Sequence, residues 1–477
     1  MEEEENQSDL AACRHEEESS PHLYGGRQQA QAWVLTQHFH GFPTDSDFEL
    51  RVEQLPEPRD GEVLLEAVFL SVDPYMSRVH MKEGEVMIGA QVAKVIRSSS
   101  PAVPVGRHVV GRCGWRTHTV CPAADLIPIM EDWPEEVSLS LALGAVGMPG
   151  LTALYGLEEV LGLQAGETLL VNAAAGAVGS VVGQIAKIKG CRVVGSAGSD
   201  AKVAFLQELG FDRTLNYKTV GSLDQALREA APDGYHCYFE NVSPLQLDTK
   251  IQVGGPFSSV ALQQMKDFGR IAVCGGISLY NDTAPQTGPY PHLTMIFKQL
   301  KMEGFMQSRW EHKHPESLKR LMAWVKEGKL QCREHITEGF ANMPAAFIGM
   351  LQGENIGKAI IKRSRWTGCG SADVCWFIKG TLPSALPRLA GQLGLLVLHG
   401  PLQEPGVQVE VDVEFPLPPE GGAALQLGAL VLHLAHDVLH QPLQPLELRL
   451  SVRQLNAQLL QRGAEEKSVG AFYTFIQ

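Results

Sequence analysis

One stretch narrows the fold of this chain more than any other: Asn172-Ala-Ala-Ala-Gly-Ala-Val-Gly179, set between an apolar run and an amphipathic segment. Residues 167–172 (ETLLVN) read as a buried strand, and residues 180–190 (SVVGQIAKIKG) as the helix that follows. The turn between them has the form A-x-G-x-x-G. Gly176 lets backbone approach a pyrophosphate, and Gly179 lets the helix pack closely on its strand. The open N–H groups at the helix start then hold phosphates, which makes Gly176, Ala177, Val178 and Gly179 candidate cofactor contacts. A glycine pattern alone carries little weight. Strand, turn and helix in this order give it weight.

The flanking pattern organises the rest. Residues 1–30 are polar and acidic, the composition of a disordered leader. From residue 31 to 150 short β-branched runs alternate with Pro, Gly and Asp turns, which predicts a β-rich module. Residues 151–314 alternate strands (167–172, 191–196, 213–217, 235–241, 269–274, 302–307) with helices (178–189, 200–209, 222–230, 291–300). That alternation implies a doubly wound parallel sheet, so the fold class is α/β with a second, β-rich domain. Residues 315–363 are expected to return to the β-rich module. Residues 364–477, rich in Leu, Pro, Gln and Gly, are expected to be a poorly ordered tail. Its histidines 433, 436 and 440 share a helical spacing, but without Cys or carboxylate partners they make a poor metal set.

Bulk properties exclude several classes. A formal net charge of −14 argues against nucleic-acid binding, which needs clustered cations. No apolar run reaches membrane-spanning length and no basic-then-apolar leader opens the chain. Nine scattered cysteines without a C-x-x-C fit reduced thiols and a cytoplasmic location.

The type of dinucleotide can be read from the second strand. An NAD site places Asp or Glu at its end to bind the ribose 2′-hydroxyl. Here the strand ends Gly195-Ser196-Ala197-Gly198, with Asp200 further on in helix-capping position and Lys202 after it. Small residues plus a cation favour a 2′-phosphate, so NADPH/NADP+ is the expected cofactor. A zinc site is not expected, since Cys113 and Cys121 lack a Gly-His-Glu stretch. Without a Lewis acid, reduction of a conjugated C=C is easier than reduction of a simple carbonyl. Charge then collects on an enolate oxygen that needs only hydrogen-bond donors. Tyr280 is the candidate catalytic donor, at the carboxyl end of a sheet strand where α/β folds bind ligands. A loop tyrosine with a wet hydroxyl, or a cofactor ribose hydroxyl doing the same work, are the competing readings.

The stretches SVDPYMSR (71–78), LALGAVGMPGLTALYGL (141–157), VNAAAGAVGSVVGQIAKIKGC (171–191), FGRIAVCGGISLYN (268–281) and EGFANMPAAFIGMLQGENIGKAIIK (338–362) together carry a family likeness. They resemble the zinc-independent medium-chain dehydrogenase/reductase superfamily, within it the reductases of lipid enones. The resemblance covers about residues 32–362. It implies a GroES-like substrate domain beside a Rossmann domain, a homodimer, and a lipid enone or enal as substrate. It further implies NADPH-dependent reduction of 15-oxoprostaglandins and other α,β-unsaturated aldehydes and ketones, with NADP+-dependent oxidation of the leukotriene B4 12-hydroxyl in reverse. It supports Lys202 and adds Tyr217, Asn241 and Asn355 as cofactor contacts. The strand-end run Cys274, Gly275, Gly276, Ile277, Ser278, Leu279 and Tyr280 joins them, as do Phe305, Met306 and Gln307. Tyr75 is carried over as a substrate contact.

One departure bears on activity. In the family Asn241-Val242 would run directly into Gly254-Gly255, but here residues 243–253 intervene. An insert that bulges outward leaves catalysis intact, whereas one that moves the strand end spoils hydride geometry, since about 1 Å of misplacement can cost about two orders of magnitude. A quinone oxidoreductase of the same superfamily, or an inactive nucleotide-binding variant, are the alternatives.

Overall fold

The computed structural model describes residues 28–39, 41–77, 81–241, 257–276 and 291–363, and three strands beyond them. The chain divides into two units, residues 1–364 and 365–477.

The first unit opens with the β-rich part. β1 (Gln29–Leu35) pairs antiparallel with β2 (Phe48–Gln54). β3 (Glu62–Ser71), β4 (Gln91–Ser98), β5 (His108–Gly111), β6 (His118–Pro122) and β7 (Ile127–Pro128) follow, all joined by antiparallel pairings. Period-two alternation decides which side chains go inward. Val63 and Leu65 of β3 pack with Val95 and Val109, while Leu64 between them packs in a separate cluster with Ala30 and Leu55.

α1 (Met148–Tyr155), with Pro149 in its first turn, leads into the alternating series. That series runs β8 (Thr168–Val171), α2 (Gly179–Ile188), β9 (Arg192–Ala197), α3 (Asp200–Glu208), β10 (Arg213–Asn216), α4 (Leu223–Ala230) and β11 (Tyr235–Glu240). It continues with α5 (Phe257–Gln263), β12 (Met265–Val273), α6 (His292–Lys298) and β13 (Lys301–Gly304). The strands are all parallel in the order β10-β9-β8-β11-β12-β13. Counted from β8 this is 3-2-1-4-5-6, the doubly wound Rossmann order. Leu169, Val171 and Val193 face one core, and Leu170, Val194 and Tyr238 face the other. A sheet buried on both faces explains why its strands read as unbroken apolar runs. Ser199 and Ser222 cap α3 and α4, their hydroxyls accepting from the N–H groups of Lys202 and Gln225.

After α7 (His314–Lys326) come β14 (Glu334–Glu338), α8 (Met343–Gln352) and β15 (Lys358–Lys362). β15 runs antiparallel to β3, with Ile361 opposite Leu70, and β14 lies parallel to β15. The return segment therefore completes the first sheet, in the order β14-β15-β3-β4-β5-β7, with β6 also on β3. Two helices escaped the sequence reading. α5 is under two turns long and begins Phe-Ser-Ser, and α8 carries Pro344 and Gly349, so neither shows a clean helical period. The strand expected over 302–307 ends at Gly304.

In the second unit β16 (Leu396–His399), β17 (Gln408–Val413) and β18 (Glu447–Ser451) pair in that order, the first pair antiparallel and the second parallel. The tail histidines 433, 436 and 440 lie outside the described residues.

Candidate active site

Strand order reverses between β8 and β11, and the crevice at their carboxyl ends is where an open α/β sheet binds its ligand. Asn172 follows β8 and Asn241 follows β11, both buried. The Asn241 N–H donates to Asn172 Oδ1 at 2.7 Å, and its Nδ2 donates to the Asn172 carbonyl at 2.9 Å. Asn172 Nδ2 in turn donates to the Tyr238 hydroxyl at 2.8 Å. The expected nicotinamide-side asparagine is thus held at the switch point by a residue the sequence reading used only to start the turn. Cys274, following β12, donates its N–H to the Glu240 carbonyl at 2.9 Å and its thiol to Asn241 Oδ1 at 3.3 Å. Burial, then the nearby Glu240, pushes that thiol up to about 12, so it keeps its proton.

The steric surroundings of the two glycines of the turn differ. A Cβ on Gly179 would lie 2.5 Å from the Ala173 carbonyl oxygen and 2.7 Å from Ala174 Cα, so only glycine lets α2 start against β8. A Cβ on Gly176 would meet only the Ala173 oxygen, at 3.3 Å, which leaves its outer side open. No side chain caps α2 at Val178; Ser180 and Val181 donate their N–H groups to the Gly176 and Val178 carbonyls, which leaves those of Ala177, Val178 and Gly179 in the turn for an anion. Ala173 has a φ of 43°, a left-handed backbone that strains any residue with a Cβ.

Two further groups complete the outer end. Tyr217 follows β10, its N–H donating to the Ala197 carbonyl at 3.1 Å, and its hydroxyl lies 2.8 Å from where a Gly198 Cβ would sit. Lys202 Nζ donates to the Gly353 carbonyl at 2.6 Å. Burial, and then the ammonium of Lys218, hold Lys202 below its ordinary value. Asp200, in the first turn of α3, is occupied by Asn216 Nδ2 at 2.8 Å. Lys218 was missed, although it stands beside Tyr217 in the sequence. The end of β9 therefore presents two lysines and a tyrosine, a set suited to a 2′-phosphate.

Asn355 lies in the connection before β15, its Nδ2 donating to the Gly357 carbonyl at 2.8 Å. Gly357 donates its N–H to the Ala175 carbonyl at 2.8 Å and forms a parallel bridge with Gly176. Residues 353–357 thus span from Lys202, 151 positions before Gly353, to the glycine turn.

Phe305, Met306 and Gln307 come just past β13. Phe305 packs edge-on against Phe239 at 6.1 Å, Met306 is exposed, and Gln307 Oε1 is buried with no hydrogen-bond partner among the described residues. The contact of Phe305 with Phe239 of β11 sets this segment at the carboxyl ends of the strands, the side on which a nicotinamide would lie. The residues present therefore fit an NADPH molecule at both its ends. Ile277, Ser278, Leu279 and Tyr280 lie outside the described residues, as does the insert at 243–253. Gly275 and Gly276 carry β12 toward them.

Tyr75 sits in the short 3-10 turn Pro74–Ser77, half-buried against the β-rich core. Burial, then Asp73, pushes its hydroxyl well above the ordinary range, with Arg112 opposing. It therefore stays protonated and able to donate.

A family model described as the N-terminal domain of oxidoreductase matches residues 31–129, and one described as zinc-binding dehydrogenase matches residues 177–327. Among the described residues no group of three or more His, Cys, Asp or Glu comes together to hold a metal. Prostaglandin reductase 1 of Bos taurus is 56% identical over 337 residues, covering 70% of this chain and 99% of that protein. The NADP(+)-dependent 2-alkenal reductase of Nicotiana tabacum is 38% identical over 346 residues, covering 70% of this chain and 97% of that protein. The crystal structure of CurA from Vibrio vulnificus in complex with NADPH matches with a TM-score of 0.63 and 34% identity, over 70% of this chain and 99% of that one. With its Rossmann sheet, its glycine turn and a relative matched over nearly its whole length, the chain belongs to the prostaglandin reductase family of the medium-chain dehydrogenase/reductase superfamily.

Proposed function

We propose that this chain is an NADPH-dependent reductase of the conjugated C=C in α,β-unsaturated aldehydes and ketones. The observation that carries the reading is the acid-free end of β9, where Lys202 and Lys218 stand close to each other beside Gly198 and Tyr217. When bound, NADPH supplies a hydride to the β-carbon of a conjugated carbonyl. The chain's own residues bind and orient. The open start of α2 takes the pyrophosphate, Lys202 and Lys218 take the 2′-phosphate, and Asn241 and Gln307 line the nicotinamide end. Tyr75 is the proposed substrate contact. Tyr280 is the proposed donor to the developing enolate oxygen, where a positioned hydroxyl stabilises charge as it forms.

The same reading favours 15-oxoprostaglandins and short 2-alkenals as substrates, with leukotriene B4 oxidation in reverse. It also takes the chain as a homodimer in the cytoplasm. Leu293, Ile296 and Phe297 of α6 are each about two-thirds exposed or more, next to the edge strand β13, which supports pairing with a second copy. Six described cysteines are free thiols, in keeping with a reducing compartment. No helix among the described residues is long and apolar enough to cross a membrane.

The test follows NADPH absorbance with a 15-oxoprostaglandin and with a 2-alkenal, for this chain and for a version lacking residues 243–253. Oxidation of NADPH by both chains is expected. Tight NADPH binding without turnover on any enone would identify a binding-only protein, and turnover confined to ortho-quinones a quinone reductase.

A further inference from the structure

Lys358 opens β15 with its side chain only 4% exposed, and no role in binding or chemistry accounts for it. Its ammonium donates to the carbonyls of Val72 at 2.7 Å and Ala359 at 2.9 Å, and lies 3.2 Å from Asp73 Oδ1. Three N–H donors thus meet three acceptors. Among the described ion pairs, this one alone has both side chains less than one-tenth exposed. Glu334 stands nearby with Oε2 accepting from Ser140 at 2.5 Å and Oε1 buried without a hydrogen-bond partner.

Two functional segments meet at this ammonium. Val72 and Asp73 lead directly into the turn that carries Tyr75, and Ser71 Oγ donates to Asp73. On the other side, the residue before Lys358 is Gly357, which bridges Gly176 and bonds Ala175 in the glycine turn. The contact joins residues 286 positions apart.

We propose that Lys358 is a positioning residue: it locks the Tyr75 turn to the strand end that closes the glycine turn, and so sets the spacing between substrate contact and dinucleotide site. This rests on the reading of Tyr75 given under the proposed function. Removing the ammonium alone strands the Asp73 carboxylate in the interior, whereas removing both charges restores much of the lost stability. Spacing is not fully restored, because the Val72 N–H bond to the Ala359 carbonyl at 3.2 Å then holds the junction without the ammonium.

The test compares Lys358→Met, Asp73→Asn and the double variant with the full-length parent chain. Thermal melts, NADPH affinity by fluorescence, 2-alkenal kinetics and amide hydrogen exchange are measured for each. Lys358→Met should melt lowest, with the double variant well above it. In the double variant NADPH Kd should stay within about threefold while kcat falls at least about tenfold, since about 1 Å of misplacement costs about a hundredfold. Exchange should rise together at residues 72–77 and 355–358. Should Lys358→Met not fold, the double variant carries the comparison, because it removes the ammonium without leaving the Asp73 carboxylate unpaired. A double variant with parental kcat, or with faster exchange in one segment only, overturns the proposal. A parent chain that reduces no enal counts against the proposed function instead, and the exchange experiment still decides the coupling.

Discussion

Replacing Glu240 with Gln should raise the stability of this protein most at alkaline pH. Glu240 ends β11 with 4% exposure and packs against Ser258, the second residue of α5, whose hydroxyl donates to it. Burial pushes its carboxyl up from the ordinary 4.5 to about 7, while the Ser258 and Tyr238 hydroxyls pull the other way. Between these two values the folded chain holds a proton that the unfolded chain has lost. Stability from this group is therefore complete below about 4.5 and is lost as pH rises through about 7. The gap is roughly 2.5 pH units, which at about 1.4 kcal/mol per unit amounts to about 3 kcal/mol. About 2 kcal/mol of it is already gone at pH 6 and nearly all at pH 8, so the two chains should diverge by about 1 kcal/mol between these values. The neutral amide keeps the shape of the side chain and has no charge to bury. Urea unfolding followed by tryptophan fluorescence at pH 6, 7 and 8 measures the difference directly. A difference between parent and variant that stays constant over that range would refute the argument, since only a titrating carboxyl can give it a slope.

Three other substitutions probe the dinucleotide site. Gly179→Ala places a methyl 2.5 Å from the Ala173 oxygen and should weaken NADPH binding by about tenfold or more, with a measurable loss of melting temperature. Lys202→Ala should raise the NADPH Kd by roughly ten- to a hundredfold and leave NADH binding almost unchanged, because a charge-assisted contact to phosphate is worth about 1.5–3 kcal/mol; equal losses for both cofactors would count against a 2′-phosphate role. Ala173→Gly should relieve the left-handed backbone at φ 43°, and a gain of up to about 1 kcal/mol in urea unfolding is expected.

Local patterns in the sequence made much of this site legible. Gly176 and Gly179 lie in one turn, and the acid-free strand end comes one helix and one strand later, so each can be read from its own local backbone. Tyr217 and Asn355 came by resemblance, and the contacts at Gly198 and Gly357 give each a place. Lys218 had a signal, its neighbour Tyr217, but exposure at a strand end is invisible to pattern reading. Asn172 was read as the start of a turn because its partner Asn241 lies 69 residues away. Glu240 and Ser258 flank residues 242–256, so no local spacing announces their pairing.

By itself the amino-acid order determined the class of fold, since apolar periods of two and of 3.6 specify strands and helices wherever they run long enough. It also determined the glycine turn, whose glycines answer to sterics within a few residues. Only the tertiary structure decided the strand order that puts Asn172 beside Asn241, and the return of β15 onto β3 that buries Lys358 against Asp73. Those contacts depend on which distant segments the packed core brings together, and burial then changes what each charged group costs.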